Sequence, residues 1–99
     1  ILVLKGAPTI MFNPTGEVFI NTTGNSGMAK FGSGDVLTGV IAGILSQNKN
    51  PETASITGVY LHSLSADLLV REKSISNYLA SDIMGNYPNA VKFLEDSIV

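Results

Sequence analysis

Apolar positions change their spacing twice along this chain, and each change marks a change of element. Residues 1–4 form a continuous apolar run that stops at Lys5 and Gly6. That is the pattern of a strand covered on both faces, as in a buried parallel sheet. The segments "TIMF" and "EVFIN" then flank Asn13-Pro14-Thr15-Gly16, with Pro second and Gly fourth. This is the signature of a type I turn closing a β-hairpin. From Val36 the spacing lengthens to four, through Val36, Val40 and Ile44 and through Leu37, Ile41 and Leu45, which predicts a helix. Gly39, Ala42 and Gly43 share another side of it. Each glycine costs about 1 kcal/mol of helix propensity relative to alanine, so a helix buried on two sides, with a neighbouring backbone close to the glycines, is expected.

Asn50-Pro51-Glu52 supplies a cap, a proline at the first helical position and an acid in the first turn. A second helix is expected over residues 51–71, burying Ile56, Tyr60, Leu61, Leu64 and Leu68, with a break at residues 73–77. "YLASDIM" predicts a short helix. Pro88 predicts the start of a last one, with Val91, Leu94 and Ile98 on one face. Strand, hairpin, glycine-rich loop and helices, in that order, fit the C-terminal part of an α/β domain.

Composition narrows the picture by exclusion. Ninety-nine residues allow one domain at most. Net charge is −2, and the six Lys and Arg are spread singly, so a nucleic-acid partner is not expected. There is no cysteine and one histidine, which removes disulfide frameworks and thiolate zinc sites and makes an intracellular, cytoplasmic setting the expectation. No apolar stretch approaches the ~20 residues of a membrane helix. The opening run has neither an initiator Met nor the form of a signal peptide, and it is expected to be a strand already in progress in a longer protein.

The candidate chemistry sits in "GNSGMAKFGSGDVLTG", which places Gly24, Gly27, Gly32 and Gly34 ahead of the Val36 helix. A helix N-terminus carries unpaired N–H groups and about half a positive charge, and glycines before it let those groups close on a phosphate. Asp35 falls in the first turn, aimed at the same point. An anion cradle beside a carboxylate suits phosphoryl transfer to a hydroxyl, in which the donated group is held while a base takes the proton. Gly-Ser-Gly followed by Asp is also ordinary loop and cap material. Glycines at four separate points exceed what a cap requires. His62 has no acid at helical spacing to orient it except Asp67, five residues on, so it reads as a packed or hydrogen-bonded histidine. Asp82 reads as a cap or a solvent-facing group.

These residues carry a resemblance. "KGAPT", the hairpin, "GNSGMAKFGSGDVLTGVIAG" and "GVYLHSLSADL" resemble the C-terminal part of the ADP- or ATP-dependent NAD(P)H-hydrate dehydratases of the ribokinase-like superfamily. The resemblance implies that residues 1–99 are a C-terminal fragment of a single ribokinase-like domain with a three-layer fold. It implies nucleotide-driven dehydration of C6-hydrated NADH or NADPH, with ADP or ATP as phosphoryl donor and Mg²⁺ bridging the phosphates. By this likeness Lys5, Gly6, Ala7, Pro8 and Thr9 touch the adenine nucleotide. Asn25, Ser26, Gly27, Met28, Ala29, Lys30, Phe31, Gly32, Ser33 and Gly34 form the phosphate-side loop. Asp35 meets the hydrated dinucleotide and acts as base.

The chain departs from the pattern at Ser26, where Pro is usual, and at Ser63 and Ala66, where Gly is usual. Lys30-Phe31 is also bulkier than the usual pair. A homo-oligomer, or association with an upstream segment of the same domain, is expected. A sugar or vitamin-precursor kinase and a non-catalytic nucleotide-binding module are the other readings the residues leave open.

Overall fold

A computed structural model of the chain describes residues 1–6, 8–24, 33–70 and 79–97. Three strands, β1 (Leu2–Leu4), β2 (Thr9–Phe12) and β3 (Val18–Asn21), are followed by four helices, α1 (Ser33–Asn48), α2 (Pro51–Val70), α3 (Ala80–Gly85) and α4 (Tyr87–Ser97). The strands form one sheet in the order β1-β2-β3, antiparallel throughout. The parallel pairing expected of the first strand is therefore not made among the described residues. The short connection through Gly6 turns the chain straight back, and only antiparallel neighbours can be joined so briefly.

The hairpin closes as its sequence predicts. Gly16 N–H donates to the Asn13 carbonyl at 3.1 Å, and Gly16 takes φ +89°, a left-handed conformation that suits glycine. The Asn13 side chain accepts from Glu17 N–H at 2.8 Å and donates to Glu52 at the start of α2 at 2.6 Å. At that helix's own start Asn50 Oδ1 accepts from Thr53 N–H at 3.1 Å, ahead of Pro51, as a capping residue should. Asp82 caps α3 by accepting from Leu79 N–H at 2.8 Å. The expected break at residues 73–77 and Ile98 lie outside the described residues.

One face of the sheet packs on the helices. Met11, Leu37 and Val59 form its buried centre, with Val3, Phe19, Val40, Ile41 and Ile56 packed around it. A second cluster of Ala66, Leu69 and Ile83, flanked by Val70 and Tyr87, joins α2 to α3 and α4. The register places Leu2, Leu4, Ile10, Phe12, Val18 and Ile20 together on the opposite face. All six are apolar, yet Leu2 and Ile20 are each 61% exposed, and Leu4 and Val18 are more than half exposed. The described residues thus supply two layers, sheet and helices, and an apolar surface suited to a third.

The helices correct two expectations. Among the described residues, nothing stands close to where a Cβ of Gly39 or Gly43 would be. The close approach between helices occurs instead at Gly58 of α2, where a Cβ would lie 2.7 Å from Ile41 Cγ1 and 3.4 Å from Ile41 Cα. Also, α2 does not bury a purely apolar stripe. Tyr60 is exposed, while Ser55, His62, Ser63 and Ser65 are buried, because the helix is enclosed by α1, the sheet and the α3–α4 pair. Gly58→Ala gains about 1 kcal/mol of helix propensity but overpacks the contact at a cost of about 1–3 kcal/mol. A net loss of about 1 kcal/mol is expected from urea unfolding of the full-length protein. A more stable variant would mean that the two helices are not pressed together there.

Candidate functional site

The first turn of α1 and the end of β1 meet. Lys5, just past Leu4, reaches back so that its Nζ occupies the space a Cβ on Gly34 would take. Asp35 follows Gly34 in the same turn and is exposed. An ammonium group and the positive end of a helix repel each other. Their convergence, with an exposed carboxylate next to them, is the arrangement expected where a polyanion is bound. Gly34 lets it form, since a side chain there would displace the ammonium.

The flanking segments are tied down. Thr9 Oγ1 donates to the Gly6 carbonyl at 3.2 Å, which closes the turn between β1 and β2 that carries Lys5, Gly6, Pro8 and Thr9. Gly24, with φ +111°, donates its N–H to Asp67 Oδ2 at 2.8 Å, and so α2 fixes the start of the glycine-rich loop. Just upstream, Asn21 Nδ2 donates to Ser63 Oγ at 2.8 Å, and Thr23 Oγ1 donates to Asn21 Oδ1 at 3.0 Å. Ser63 donates in turn to the Val59 carbonyl at 2.8 Å, as a helical serine commonly does. Ala7 and residues 25–32 lie outside the described residues. The structure therefore brings together Lys5, Gly34 and Asp35 and anchors Gly24, the residue that opens the loop.

Sequence reasoning missed the anchors. Asp67 and Ser63 act across 43 and 42 residues of chain, and no local spacing marks such pairs. It also missed Tyr87. The His62 Nδ1 lies 2.8 Å from the Tyr87 hydroxyl, with the rings edge to face at a centroid distance of 6.2 Å. His62 is 2% exposed. Burial, assisted by the positive charge of Lys5, pulls its pKa from 6.5 to about 4, so the imidazole is neutral at physiological pH. Burial likewise pushes the Tyr87 hydroxyl up to about 12. The hydrogen-bonded role expected of His62 is the one it has.

A cavity of about 460 Å³ opens beside Asp35, lined by Asp35, Val36, Gly39, Val40, Met84 and Tyr87. No three His, Asp or Glu side chains stand together as a metal cage among the described residues. A magnesium ion that arrives on nucleotide phosphates keeps several waters and needs only one or two carboxylates. Asp35, exposed at the helix end, fits that requirement.

Comparison with known proteins identifies the family. The model of the NAD(P)H-hydrate dehydratase family matches residues 1–89. The chain is 43% identical over 98 residues to a bifunctional NAD(P)H-hydrate repair enzyme of Moorella thermoacetica, covering 99% of this chain and 18% of that protein. It is 39% identical over 95 residues to the ADP-dependent (S)-NAD(P)H-hydrate dehydratase of Bacillus subtilis, covering 96% of this chain and 34% of that one. A crystal structure of the Bacillus subtilis ADP/ATP-dependent dehydratase, co-crystallized with ATP/Mg²⁺, superposes with a TM-score of 0.87 at 39% identity. That superposition covers 92% of this chain and 34% of the other. The chain thus spans between about a fifth and a third of the length of these relatives. Its antiparallel hairpin sheet and helices are part of the ribokinase-like fold of the solved neighbours. On its sequence and its fold alike, this chain belongs to the NAD(P)H-hydrate dehydratase family.

Proposed function

We propose that this chain is the phosphate-side part of an enzyme that uses ADP or ATP to dehydrate hydrated NADH or NADPH. The observation that carries the reading is the Lys5 ammonium set against the N-terminus of α1, directly beside Asp35. Lys5 and the backbone N–H groups of the first turn hold the nucleotide phosphates. Gly6, Ala7, Pro8 and Thr9, and the loop of residues 25–34, complete the nucleotide side.

Asp35 takes the proton of the hydroxyl on C6 of the hydrated ring, and the oxygen forms a bond to the terminal phosphorus as the bond to the nucleotide breaks. ATP leaves as ADP, or ADP as AMP. The ring nitrogen's electron pair then expels phosphate from C6, and a proton lost from C5 restores the ring double bond and NAD(P)H. Magnesium, when bound with the nucleotide, neutralises the charge that builds on the phosphates. Asp35 is the described carboxylate placed to share in holding it.

The proposed setting is the cytoplasm, where a substrate made from nicotinamide coenzymes arises. Among the described residues no helix is long and apolar enough to cross a membrane. The apolar sheet face is expected to be covered by the rest of the domain or by a second copy of the chain.

The test is an assay of the full-length protein with hydrated NADH and either nucleotide, read at the absorbance of reduced nicotinamide. Absorbance that rises only with both substrates supports the reading. Nucleotide consumed with a sugar or vitamin precursor instead would replace it with a kinase. A second test concerns the phosphate side. Gly34→Val pushes aside the tip of the Lys5 side chain, which is flexible, so the fold should survive. Displacing a charge-assisted contact worth about 1.5–3 kcal/mol should weaken ADP or ATP binding by at least tenfold in calorimetry. Parent-like affinity would remove the phosphates from this end of α1.

A further inference from the structure

Where β3 ends, the chain runs alongside one turn of α2 and is tied to it at both ends of that turn. Ser63 and Asp67 are four residues apart in α2, so they share a face of the helix, about 6 Å apart along its axis. Asn21 Nδ2 donates to Ser63 Oγ at 2.8 Å, and Gly24 N–H donates to Asp67 Oδ2 at 2.8 Å. Ser63 spends its one hydroxyl proton on the Val59 carbonyl, so toward Asn21 it can only accept. The buried Asn21 amide is also engaged by Thr23, whose hydroxyl donates to Oδ1 at 3.0 Å and whose carbonyl accepts from Nδ2 at 3.3 Å. Residues 21–24 are thereby held by backbone and side chain together.

Gly24 then turns with φ +111°, which a side chain would rarely allow, and is the last residue described before the glycine-rich loop. The far end of that loop is equally defined, because Ser33 and Gly34 begin α1 with Lys5 against Gly34. The near end is held by an ionisable side chain from a separate element. Asp67 is half-buried and belongs to neither apolar cluster. A carboxylate on a backbone N–H makes a hydrogen bond roughly twice as strong as a neutral pair. Placed here it adds little to packing but fixes a direction. Direction matters to a backbone cradle for phosphate, whose N–H groups have to be aimed at the anion before it arrives.

We propose that Asp67 is a positioning residue for the nucleotide: by holding the Gly24 N–H it sets the point and direction from which the glycine-rich loop leaves the sheet, and so how well that loop receives the phosphates. Asn21 and Ser63 align the end of β3 so that this N–H arrives at the carboxylate. The inference rests on the loop being the phosphate side of the site.

Steady-state kinetics of the full-length protein with hydrated NADH and varied ADP test it. Asp67→Ala should raise KM for ADP by about tenfold, the effect of losing a charge-assisted hydrogen bond, with kcat at saturating ADP kept within about twofold. A merely structural loss would do the opposite, lowering kcat through a smaller folded fraction and leaving KM unchanged. That result overturns the inference, and so do parent-like kinetics. Two conservative variants decide the matter even if alanine unfolds the chain. Asp67→Asn offers an acceptor at the same distance and should keep KM for ADP within about threefold of the parent. Asp67→Glu keeps the charge but moves it one methylene outward, and should raise KM by about fivefold or more. The reverse order would mean that charge rather than position matters, and overturns the inference. Gly34→Val separates the inference from the reading beneath it. If Gly34→Val weakens ADP binding while the Asp67 variants do not, Asp67 is a structural residue and the phosphate side stands. If all of them bind ADP like the parent, the phosphate side itself is misplaced and the inference falls with it.

Discussion

Asp35→Asn should lower dehydratase turnover by about 10² to 10⁴, the range that a positioned general base contributes. That corresponds to about 2.7–5.4 kcal/mol of transition-state stabilisation. Asparagine keeps the shape of the side chain, and Asp35 is exposed in the first turn of α1. Removing its charge forgoes only the dipole term, about 0.3–1 kcal/mol. Melting temperature should therefore shift by a few degrees at most. Affinity for nucleotide without magnesium should hold or tighten slightly, since a negative charge beside the phosphates is lost. Steady-state kinetics with hydrated NADH and saturating ATP provide the check. Turnover within threefold of the parent would take Asp35 out of the proton transfer.

Stability should fall between pH 6.5 and pH 4 because of His62. In the folded chain the imidazole resists protonation down to about pH 4, whereas in the unfolded chain it protonates near 6.5. Between those values the unfolded state binds the proton more readily, so acid favours unfolding. His62's contribution is fully present above pH 6.5, is lost as the pH falls toward 4, and changes no further below that. The gap between 6.5 and about 4 corresponds to about 3 kcal/mol. Carboxylates titrate over part of the same range, so the informative quantity is the difference between urea-unfolding profiles of the parent and of His62→Gln. The parent should lose about 3 kcal/mol more than the variant between pH 7 and pH 4. Parallel profiles would show that His62 is not held neutral by the fold.

Local chemistry in the sequence was sufficient for the hairpin, the first turn of α1 and the start of α2. Each depends on residues within four positions of one another, such as Asn13 with Gly16 and Asn50 with Thr53. Spacing also placed Gly34 and Asp35 in one turn. It could not reveal that Lys5 lies against Gly34, because that contact depends on how β1 meets α1. The second helix misled for a different reason. Hydrophobic periodicity finds a buried face by contrast with a wet one, and α2 is enclosed on most sides. Its buried serines are satisfied by backbone carbonyls such as those of Val59 and Ile83, so polarity no longer marks solvent. The glycines of α1 misled because an absent side chain is equally consistent with a close helix and with an open cavity. Among the described residues the first is true of Gly58, while the Cβ position of Gly39 is open.

In most two-layer arrangements a strand cannot slide by one residue, because the slip would turn its apolar side chains to water and its polar ones to the core. That safeguard is weak in this sheet. With Leu2, Leu4, Ile10, Phe12, Val18 and Ile20 on one face and Val3, Met11 and Phe19 on the other, a slipped strand exchanges one set of apolar side chains for another. The burden of alignment passes to the ends of the strands. At one end Asn13 joins its own turn to Glu17 and to Glu52 of α2. At the other, Asn21 is held by Ser63. Two asparagines, one at each end of the hairpin, thus decide which side of it faces the helices, and so where the neighbouring strand delivers Lys5.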